Sequence, residues 1–421
     1  MLTNDFLGND VSRLGFGAMR LPVVDGDQSQ IDQAHLDRMV DAAIAAGVNY
    51  FDTAYPYHGN MSEIALGKSL ARYPREGFFL ATKYPGHQIA DSYDPAAIFE
   101  EQLGKCGVDY FDYYLLHNVY EASIDVYTDP QWSIIDYFIE QKRNGRIKHL
   151  GFSSHGRVKN LAEFLDFGAR KYAELEQTAP ETAALFAGDN VMEFCQIQMN
   201  YLDWTLQRAA EKTAMLEDAG IPIIVMEPLR GGKLASLDEE SLAQLNSSRA
   251  EGDARTAVAW SFRWLQGIPN VKVILSGMSD LAQVEENCSY FQASDPLFDA
   301  ENALLMDVAE SLKGGVPCTA CRYCVDSCPQ QIDIPTMLAT YNDLQFQTSF
   351  TISMQMDAVP EGQRAADCID CRACKRVCPQ SIDIPEVMSD LAAALEVMPK
   401  WADLCRQREE AAAKARAEDQ R

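Results

Sequence analysis

The sequence is short of basic residues, and this shortage excludes whole classes of partner. Its 36 Lys and Arg residues stand against 62 Asp and Glu residues, which gives a formal net charge of −26. Binding to a nucleic-acid backbone needs a basic surface, so no nucleic-acid partner is expected. The same negative charge opposes docking on anionic lipid and favours solubility.

Long hydrophobic runs are also missing. No stretch of 18 consecutive apolar residues occurs, and therefore no membrane span is expected. The N-terminal segment, MLTNDFLGNDVSRLG, has no basic stretch followed by an apolar core, so it does not resemble a signal peptide. These absences predict a cytoplasmic protein, in a reducing compartment where disulfides are disfavoured.

Twelve cysteines are present, and their placement is uneven. Cys106, Cys195 and Cys288 are scattered through the first part of the chain and Cys405 stands alone, as expected for small buried side chains. The other eight fall into two tight groups in the last quarter of the chain. At 421 residues the chain exceeds a usual single core, so two domains are expected.

Strand-like and helix-like segments alternate before the cysteine groups. Continuous apolar strands separated by amphipathic helices indicate an α/β fold with a parallel sheet covered by helices. Eight such units favour a closed (β/α)8 TIM barrel over an open sheet, and no GxGxxG motif follows the first strand. The expected strands span 13–19, 48–52, 78–83, 111–117, 146–153, 193–199, 221–226 and 271–276.

Four titratable residues follow three neighbouring strands of this predicted barrel. Asp52, Lys83 and His117 lie at strand ends, and Tyr57 lies in the loop after Asp52. Each has an ordinary explanation by itself, such as a solvated lysine or a hydrogen-bonded histidine. Because active sites in these barrels collect at the carboxyl ends of the strands, their joint placement predicts a catalytic site.

The four side chains have complementary chemistry. A tyrosine has a pKa of about 10, and a nearby ammonium is expected to lower it. Asp52 would keep Lys83 charged and in place, while His117 can donate a hydrogen bond to a substrate oxygen. The set suits protonation of a carbonyl oxygen as a hydride arrives at carbon, or the reverse reaction.

Residues 12–290 resemble the aldo-keto reductase family. FDTAYPYHGNMSEIALG is similar to a family element that carries the aspartate and the tyrosine, ATK carries the lysine and YLLH the histidine. The resemblance implies that Asp52, Tyr57, Lys83 and His117 form a tetrad, with Tyr57 as the general acid and base. It also implies a small carbonyl or alcohol substrate and a nicotinamide cofactor, NAD(H) or NADP(H).

The resemblance further implies where the nucleotide lies. GFSSHG and QIQMNYL correspond to the nicotinamide contacts, EPLRGG to the pyrophosphate loop and ILSGMSDLAQVEEN to the adenosine end. Met226 replaces a frequent aromatic, Glu227 a small hydroxyl residue, and Gly277 and Gln283 replace the cations that bind a 2′-phosphate. The implied contacts are Gly17, Met19, Ser153, Ser154, Gln196, Met226, Glu227, Leu229, Gly231, Ser276, Gln283 and Asn287.

Arg20 and Arg230 flank the same predicted rim. Either guanidinium could bind a phosphate or an acidic substrate. Surface salt bridging is an equally good explanation for both residues.

The cysteine groups form an internal repeat. The pattern C-x2-C-x2-C-x3-C-P occurs at 318–329 and again at 368–379, and both copies continue into a similar sequence, PQQIDIP or PQSIDIP. This spacing is typical of 4Fe–4S clusters, and two copies predict two clusters. Zinc is the competing interpretation, but zinc sites prefer paired CxxC units without the trailing proline.

The repeat region resembles bacterial two-cluster ferredoxins, in which the fourth cysteine of each run binds the other cluster. That resemblance implies one set of Cys318, Cys321, Cys324 and Cys378, and a second set of Cys368, Cys371, Cys374 and Cys328. The spacing between the copies is long for a compact ferredoxin, and the segment between them, MLATYNDLQFQTSFTISMQMDA, has a helix-like sequence, which predicts a small, mainly helical ferredoxin-like domain. The expected domains are a barrel over 1–295, a linker helix over 296–315, the 4Fe–4S domain over 316–404 and a charged tail over 405–421.

Three functions are compatible with these two halves. The preferred hypothesis is a carbonyl or alcohol oxidoreductase whose clusters exchange electrons with a redox partner protein. In the second, the protein is an electron-transfer module that uses a flavin or a flavoprotein, and the tetrad is vestigial. In the third, the clusters are structural or sense oxygen.

Overall fold

The computed structural model describes residues 1–250, 253–312, 315–316, 318, 321–346 and 349–419. The chain divides into two compact units. The barrel unit comprises Met1–Leu305 with Arg408–Arg421, and the cysteine-rich unit comprises Met306–Gln407. Gly314, at the predicted end of the linker helix, and Pro317, ahead of the first motif, lie outside the described residues.

Eight parallel strands close into a barrel, which confirms the predicted fold class. The strands of the described residues are β1 Thr3–Phe6, β2 Asn9–Ser12, β3 Leu14–Gly17, β4 Tyr50–Asp52, β5 Phe79–Tyr84, β6 Phe111–Leu116, β7 Ile147–Ser154, β8 Cys195–Gln198, β9 Ile223–Met226 and β10 Val271–Gly277. The barrel consists of β3 to β10 in the order β10-β3-β4-β5-β6-β7-β8-β9, with β9 pairing back to β10, and β1 and β2 form a separate sheet.

Several of the helices up to residue 312 begin at a residue whose side chain caps the first turn. Asp32, Asp94, Thr256 and Asp280 each accept a backbone N–H of the first turn through the side chain. The helices are α1 Gln33–Ala45, α2 Ser62–Leu70, α3 Pro95–Cys106, α4 Ile124–Thr128, α5 Ile134–Arg143, α6 Val158–Thr178, α7 Pro180–Ala183, α8 Asp203–Leu206, α9 Ala209–Asp218, α10 Glu239–Asn246, α11 Ala257–Gln266, α12 Leu281–Ser289 and α13 Asp299–Leu312.

The N-terminal hairpin was not anticipated from the sequence. Strands β1 and β2 pair antiparallel around Leu7 and Gly8, which both have positive φ angles (55° and 82°), as a tight hairpin turn requires. Phe6 stacks on Tyr113 at 4.7 Å between ring centroids and belongs to the same buried cluster as Tyr50. The hairpin therefore packs its apolar face on side chains near the amino ends of β4 and β6.

The cysteine-rich unit is helical, as predicted. Its buried core combines Ile332, Met337, Ile384 and Leu391 with Cys324 and other small apolar groups. The helices after α13 are α14 Tyr323–Asp326, α15 Ile334–Phe346, α16 Phe350–Asp357, α17 Ala373–Val377, α18 Ile384–Glu396 and α19 Trp401–Asp419, the last of which continues beyond Gln407, where this unit ends. None of the helices in the described part of the chain has both the length and the apolar character that a membrane crossing requires.

Candidate active site and cysteine-lined cavities

A buried ion pair joins the ends of β4 and β5. Lys83 Nζ lies 2.5 Å from Asp52 Oδ1 and donates a second hydrogen bond to the carbonyl oxygen of Thr53 at 2.7 Å. Lys83 is fully buried, and Asp52 is 3% exposed. The side chains point to the same place because β4 and β5 are parallel neighbours, with Asp52 in register with Ala81.

Tyr57 and His117 lie next to this ion pair. Lys83 Nζ is 5.2 Å from the centroid of the Tyr57 ring, and the Tyr57 and His117 rings meet edge to face at 5.8 Å. Both aromatic side chains are partly exposed, in contrast to the ion pair. The predicted tetrad is therefore assembled with its two hydrogen-bonding rings nearer to solvent and its charges behind them.

The loop that carries Tyr57 is anchored on both sides. His58, which follows in a left-handed conformation (φ 53°), accepts from the N–H of Leu21 at 3.0 Å and bonds the carbonyl of Gln28 at 2.9 Å. The Ser62 hydroxyl donates to Ala18 O and lies 2.9 Å from Thr53 Oγ1. These contacts fix the loop to the strand ends, which limits the positions that the phenol can take.

Burial shifts the pKa values of the titratable groups in this site. Desolvation raises the pKa of Asp52 and lowers the pKa of Lys83, and in each case the charge of the partner acts in the opposite direction. The pKa of His117 falls well below 6.5, first because of burial and then because His87 and Lys83 lie nearby. The imidazole is consequently neutral at physiological pH and offers one N–H donor.

The expectation that Lys83 lowers the pKa of Tyr57 is wrong. The pKa of Tyr57 lies well above 10, because burial raises it and the carboxylates of Asp52 and Glu227 raise it further. The Lys83 ammonium lies over the ring face and is committed to Asp52 and Thr53. Tyr57 therefore remains a protonated phenol at neutral pH, the form that can give up a proton to a substrate.

A buried polar network supports β5 from behind. Glu63 Oε1 accepts from the Thr82 hydroxyl at 2.6 Å and from Gln102 Nε2 at 2.7 Å. Gln102 also donates to the carbonyl of Lys83 at 3.1 Å. This network holds the backbone at Lys83, and the sequence alone gave no signal for it beyond polar residues on helices expected to be amphipathic.

Two further histidines accompany the tetrad, and sequence reasoning missed both. The His87 ring lies 4.2 Å from that of His117, and burial lowers the pKa of His87 well below 6.5. Burial lowers the pKa of His155 to about 4. Both follow strands of the barrel, β5 and β7, and their positions after strand ends were the available signal.

The predicted nucleotide residues are distributed along the same rim. Gly17 ends β3, Ser153 and Ser154 end β7, Gln196 lies in β8 and Ser276 in β10. Met19 follows β3, and Met226 ends β9 ahead of Glu227, Leu229 and Gly231 in the next loop. Asn287 of α12 donates to the Ser276 hydroxyl at 3.0 Å, and Gln283 Oε1 accepts from Ser279 N at 2.8 Å.

The loop after β9, residues 227–232, has an unusual backbone. Four of its residues have positive φ angles: Glu227 (57°), Arg230 (45°), Gly231 (65°) and Gly232 (92°). The Glu227 carboxylate accepts the Gly231 N–H through Oε2 at 2.5 Å, and its Oε1 lies 3.5 Å from Arg20 Nη2. Arg230 forms a buried ion pair with Asp203, with 3.2 Å between Nε and Oδ1.

Two cavities in the cysteine-rich unit are lined by cysteines from both copies of the repeat. One is lined by Cys318, Cys321, Cys324 and Cys378. The other is lined by Cys328, Cys368, Cys371 and Cys374. In each cavity three thiols come from one copy and the fourth from the other, which is the grouping that the ferredoxin resemblance implies.

Comparisons with known proteins cover both parts of the chain. The model of the aldo/keto reductase family matches residues 13–310, and the model of a 4Fe-4S dicluster domain matches residues 317–382. L-galactose dehydrogenase of Arabidopsis thaliana is 26% identical over 297 residues, which cover 66% of this chain and 84% of that protein. NADH-specific methylglyoxal reductase of Escherichia coli is 23% identical over 353 residues, which cover 72% of this chain and 96% of that protein.

A solved structure gives the same result for the fold. Aldo-keto reductase AKR11C1 from Bacillus halodurans, in its holo form, matches with a TM-score of 0.54 and 25% identity, over 72% of this chain and 93% of that one. The match of the family model extends over more than half of the chain and coincides with the eight-stranded barrel. The chain therefore belongs to the aldo/keto reductase family and carries a 4Fe-4S dicluster domain after its barrel.

Proposed function

We propose that the barrel catalyses the reduction of a small carbonyl compound, or the oxidation of the corresponding alcohol, with Tyr57 as the general acid and base. The observation that carries this proposal is the assembly of Tyr57 and His117 beside the buried pair of Asp52 and Lys83. Proton transfer to a developing oxyanion needs a positioned donor that is still protonated, and Tyr57 has both properties.

Each side chain has a separate role in this proposal. His117, a neutral imidazole beside Tyr57, donates a hydrogen bond that orients the substrate carbonyl. Tyr57 transfers its phenolic proton to the carbonyl oxygen, and Lys83 Nζ lies over the face of its ring, 5.2 Å from the centroid. Asp52 keeps Lys83 charged and in position. In the oxidation direction the phenolate takes the hydroxyl proton back.

A nicotinamide nucleotide, NAD(H) or NADP(H), is the hydride donor or acceptor that we propose for this barrel. The carboxamide end fits, because Gln196 Oε1 is buried and has no hydrogen-bond partner within the described part of the chain. Ser153, Ser154 and Gln196 would hold that end, and Met226 lies 3.6 Å from Gln196 Nε2. The Escherichia coli relative is named as NADH-specific, which supports the same class of cofactor here.

We also propose that the cysteine-rich unit binds two 4Fe–4S clusters. Cys318, Cys321, Cys324 and Cys378 would hold one, and Cys328, Cys368, Cys371 and Cys374 the other. Among the described residues, no three His, Cys, Asp or Glu side chains are grouped in a way that would hold a single metal ion. Thiols spread around a cavity suit a cluster better than a mononuclear zinc ion, which needs its ligands at about 2.0–2.3 Å.

Such clusters pass one electron at a time, so we propose a redox partner protein for the cysteine-rich unit. The electron-transfer alternative, with a flavin or a flavoprotein partner, and the structural or oxygen-sensing alternative give different results in one experiment. Electron paramagnetic resonance of the purified protein should show reduced clusters after addition of NADH and the partner. Reduction that needs an added flavin supports the second hypothesis, and clusters that never accept electrons support the third.

Tyr57→Phe tests the catalytic proposal. Removing the phenolic hydroxyl should lower kcat for carbonyl reduction by about 10²–10⁴-fold, the usual contribution of a general acid. Tyr55→Phe is the matched control, since Tyr55 lies two residues earlier and its hydroxyl donates to Glu101 at 3.1 Å, away from the tetrad. Equal activity in Tyr57→Phe and wild type would contradict the proposal.

A further inference from the structure

The loop 227–232 already contains an anion. Successive backbone N–H groups in a turn can form a concavity that binds anions. Here the Gly231 N–H points at the carboxylate of Glu227, with 2.5 Å between nitrogen and Oε2. Glu227 thus provides from within the chain the negative charge that such a loop attracts.

The carboxylate is also the partner of the exposed arginine at this rim. Arg20 Nη2 lies 3.5 Å from Glu227 Oε1, and the two side chains are 44% and 24% exposed. The stem of Arg20 runs along Gly277, since a Cβ at that glycine would lie 3.2 Å from Arg20 Cδ. The pair therefore connects the loops after β3 and β10 with the loop after β9.

The second arginine of the rim, Arg230, is held in a buried ion pair and is not free to change its partner. Arg230 is buried and its Nε pairs with Asp203 at 3.2 Å. Asp203 is fully buried and is fixed in turn by Asn200 and Gln198, at 2.6 and 2.8 Å. Asn200 also donates to the carbonyl of Glu227 at 3.0 Å, which holds Glu227 in its left-handed conformation.

We propose that Glu227 is a specificity residue that competes with the diphosphate of the nucleotide for Gly231 and Arg20. This inference rests on the proposed nicotinamide-linked function. A nucleotide diphosphate entering the loop must displace the carboxylate from the Gly231 N–H, and Arg20 then changes its partner from Glu227 to phosphate. Because the displaced carboxylate remains close, the barrel binds dinucleotides weakly and releases them readily.

Glu227 also connects this loop to catalysis. Its carboxylate is among the charges that raise the pKa of Tyr57. A nucleotide that displaces the carboxylate brings its own negative charge to the same side of the barrel.

The test is nucleotide binding to the full chain, measured by calorimetry. Glu227→Gln retains an oxygen that can accept from Gly231 but removes the charge, and it should bind NADH about tenfold more tightly than wild type. Reduced nicotinamide riboside, which has no phosphate and no charge, should bind both proteins alike. Glu121→Gln is the matched control, since Glu121 accepts from Arg157 N at 3.2 Å on a different loop and loses the same charge.

Two further measurements test whether the gain in NADH affinity is electrostatic and depends on Arg20. The double variant Arg20→Ala with Glu227→Gln should lose most of the gain, because the arginine released by Glu227 is then absent. The gain should also shrink at about 1 M salt, where the screening length is about 3 Å. A gain that is equal for reduced nicotinamide riboside would show a change of loop shape and overturn the proposal.

The outcomes distinguish this inference from the proposed function. Equal NADH affinity in wild type and Glu227→Gln, or weaker binding in the variant, overturns the inference, while loss of turnover in Tyr57→Phe still supports the catalytic site. Failure of both proteins to bind any dinucleotide, together with full carbonyl turnover in Tyr57→Phe, overturns the proposed function itself.

Discussion

The barrel unit and the cysteine-rich unit form their sites in different ways. In the barrel, each of several strand ends contributes one side chain, and the closed hydrogen-bonded sheet fixes its position. In the cysteine-rich unit, α14 and α17 are only four and five residues long, and Cys324 and Cys374 are part of the buried core. Four more predicted ligands, Cys318, Cys328, Cys368 and Cys378, pack against that core.

This difference indicates which unit needs its bound group in order to fold completely. The barrel has a continuous aromatic and aliphatic core, and its candidate tetrad is held by hydrogen bonds within the chain. The core of the cysteine-rich unit surrounds two cavities, so whatever fills the cavities contributes to its packing. We therefore expect the barrel site to be preformed and the cysteine-rich unit to fold fully only with its clusters.

The largest effect is expected from Cys374→Ala. Loss of one ligand should remove about half of the iron, because each of the two clusters needs four thiolates. Limited proteolysis should then cut within residues 306–407 while the barrel fragment persists. Cys405→Ala is the control: Cys405 is equally buried, at 4% against 7% for Cys374, but lines neither cavity. Full iron content in Cys374→Ala would remove the distinction between the two units.

The second prediction concerns the preformed site of the barrel. Lys83→Met leaves the Asp52 carboxylate buried without its partner, which should lower the free energy of unfolding by about 3–5 kcal/mol. The double variant Asp52→Asn with Lys83→Met should recover part of that loss, because no uncompensated charge remains. Hydrogen exchange of the backbone amides in β4 and β5 measures the loss of stability in the single variant and its recovery in the double variant. Iron content should stay at the wild-type value, and a loss of iron would contradict the independence of the two sites.

The two units also differ in how far the sequence predicted them. The barrel strands followed from alternating apolar segments, and the fold prediction is confirmed by the closed sheet. Cys318 and its seven companions were predicted as ligands from spacing alone, since a cluster motif is local in sequence. The cavities agree with that grouping, and the ligand sets stay predictions.

What the sequence could not predict depends on neighbours distant along the chain. The direction of the Tyr57 pKa was wrong because burial of the phenol raises it, and the charges of Asp52 and of Glu227, which is distant in sequence, raise it further. His87 was missed because its ring meets His117 only after β5 and β6 pair. The β1–β2 hairpin was missed because only Phe6 and Val11 of its short strands enter the core.

The smallest effect is expected for the pH dependence of carbonyl reduction, which tests whether Tyr57 and His117 have the protonation states inferred for them. Carbonyl reduction uses the protonated phenol, and the pKa of Tyr57 lies well above 10, so kcat should change less than about twofold between pH 7 and 9. The pKa of His117 lies well below 6.5, so the imidazole does not titrate in this range either.

Alcohol oxidation by the same site should behave in the opposite way. It uses the phenolate, whose fraction rises about tenfold per pH unit below the pKa, and the oxidation rate should follow that slope when chemistry is limiting. Pre-steady-state rate measurements of carbonyl reduction and of alcohol oxidation, each as a function of pH, check both expectations. A decline of the reduction rate with a midpoint below pH 9 would show that Lys83 does lower the pKa of Tyr57. The barrel site would then take its final arrangement only with its ligands bound, as we expect for the cysteine-rich unit.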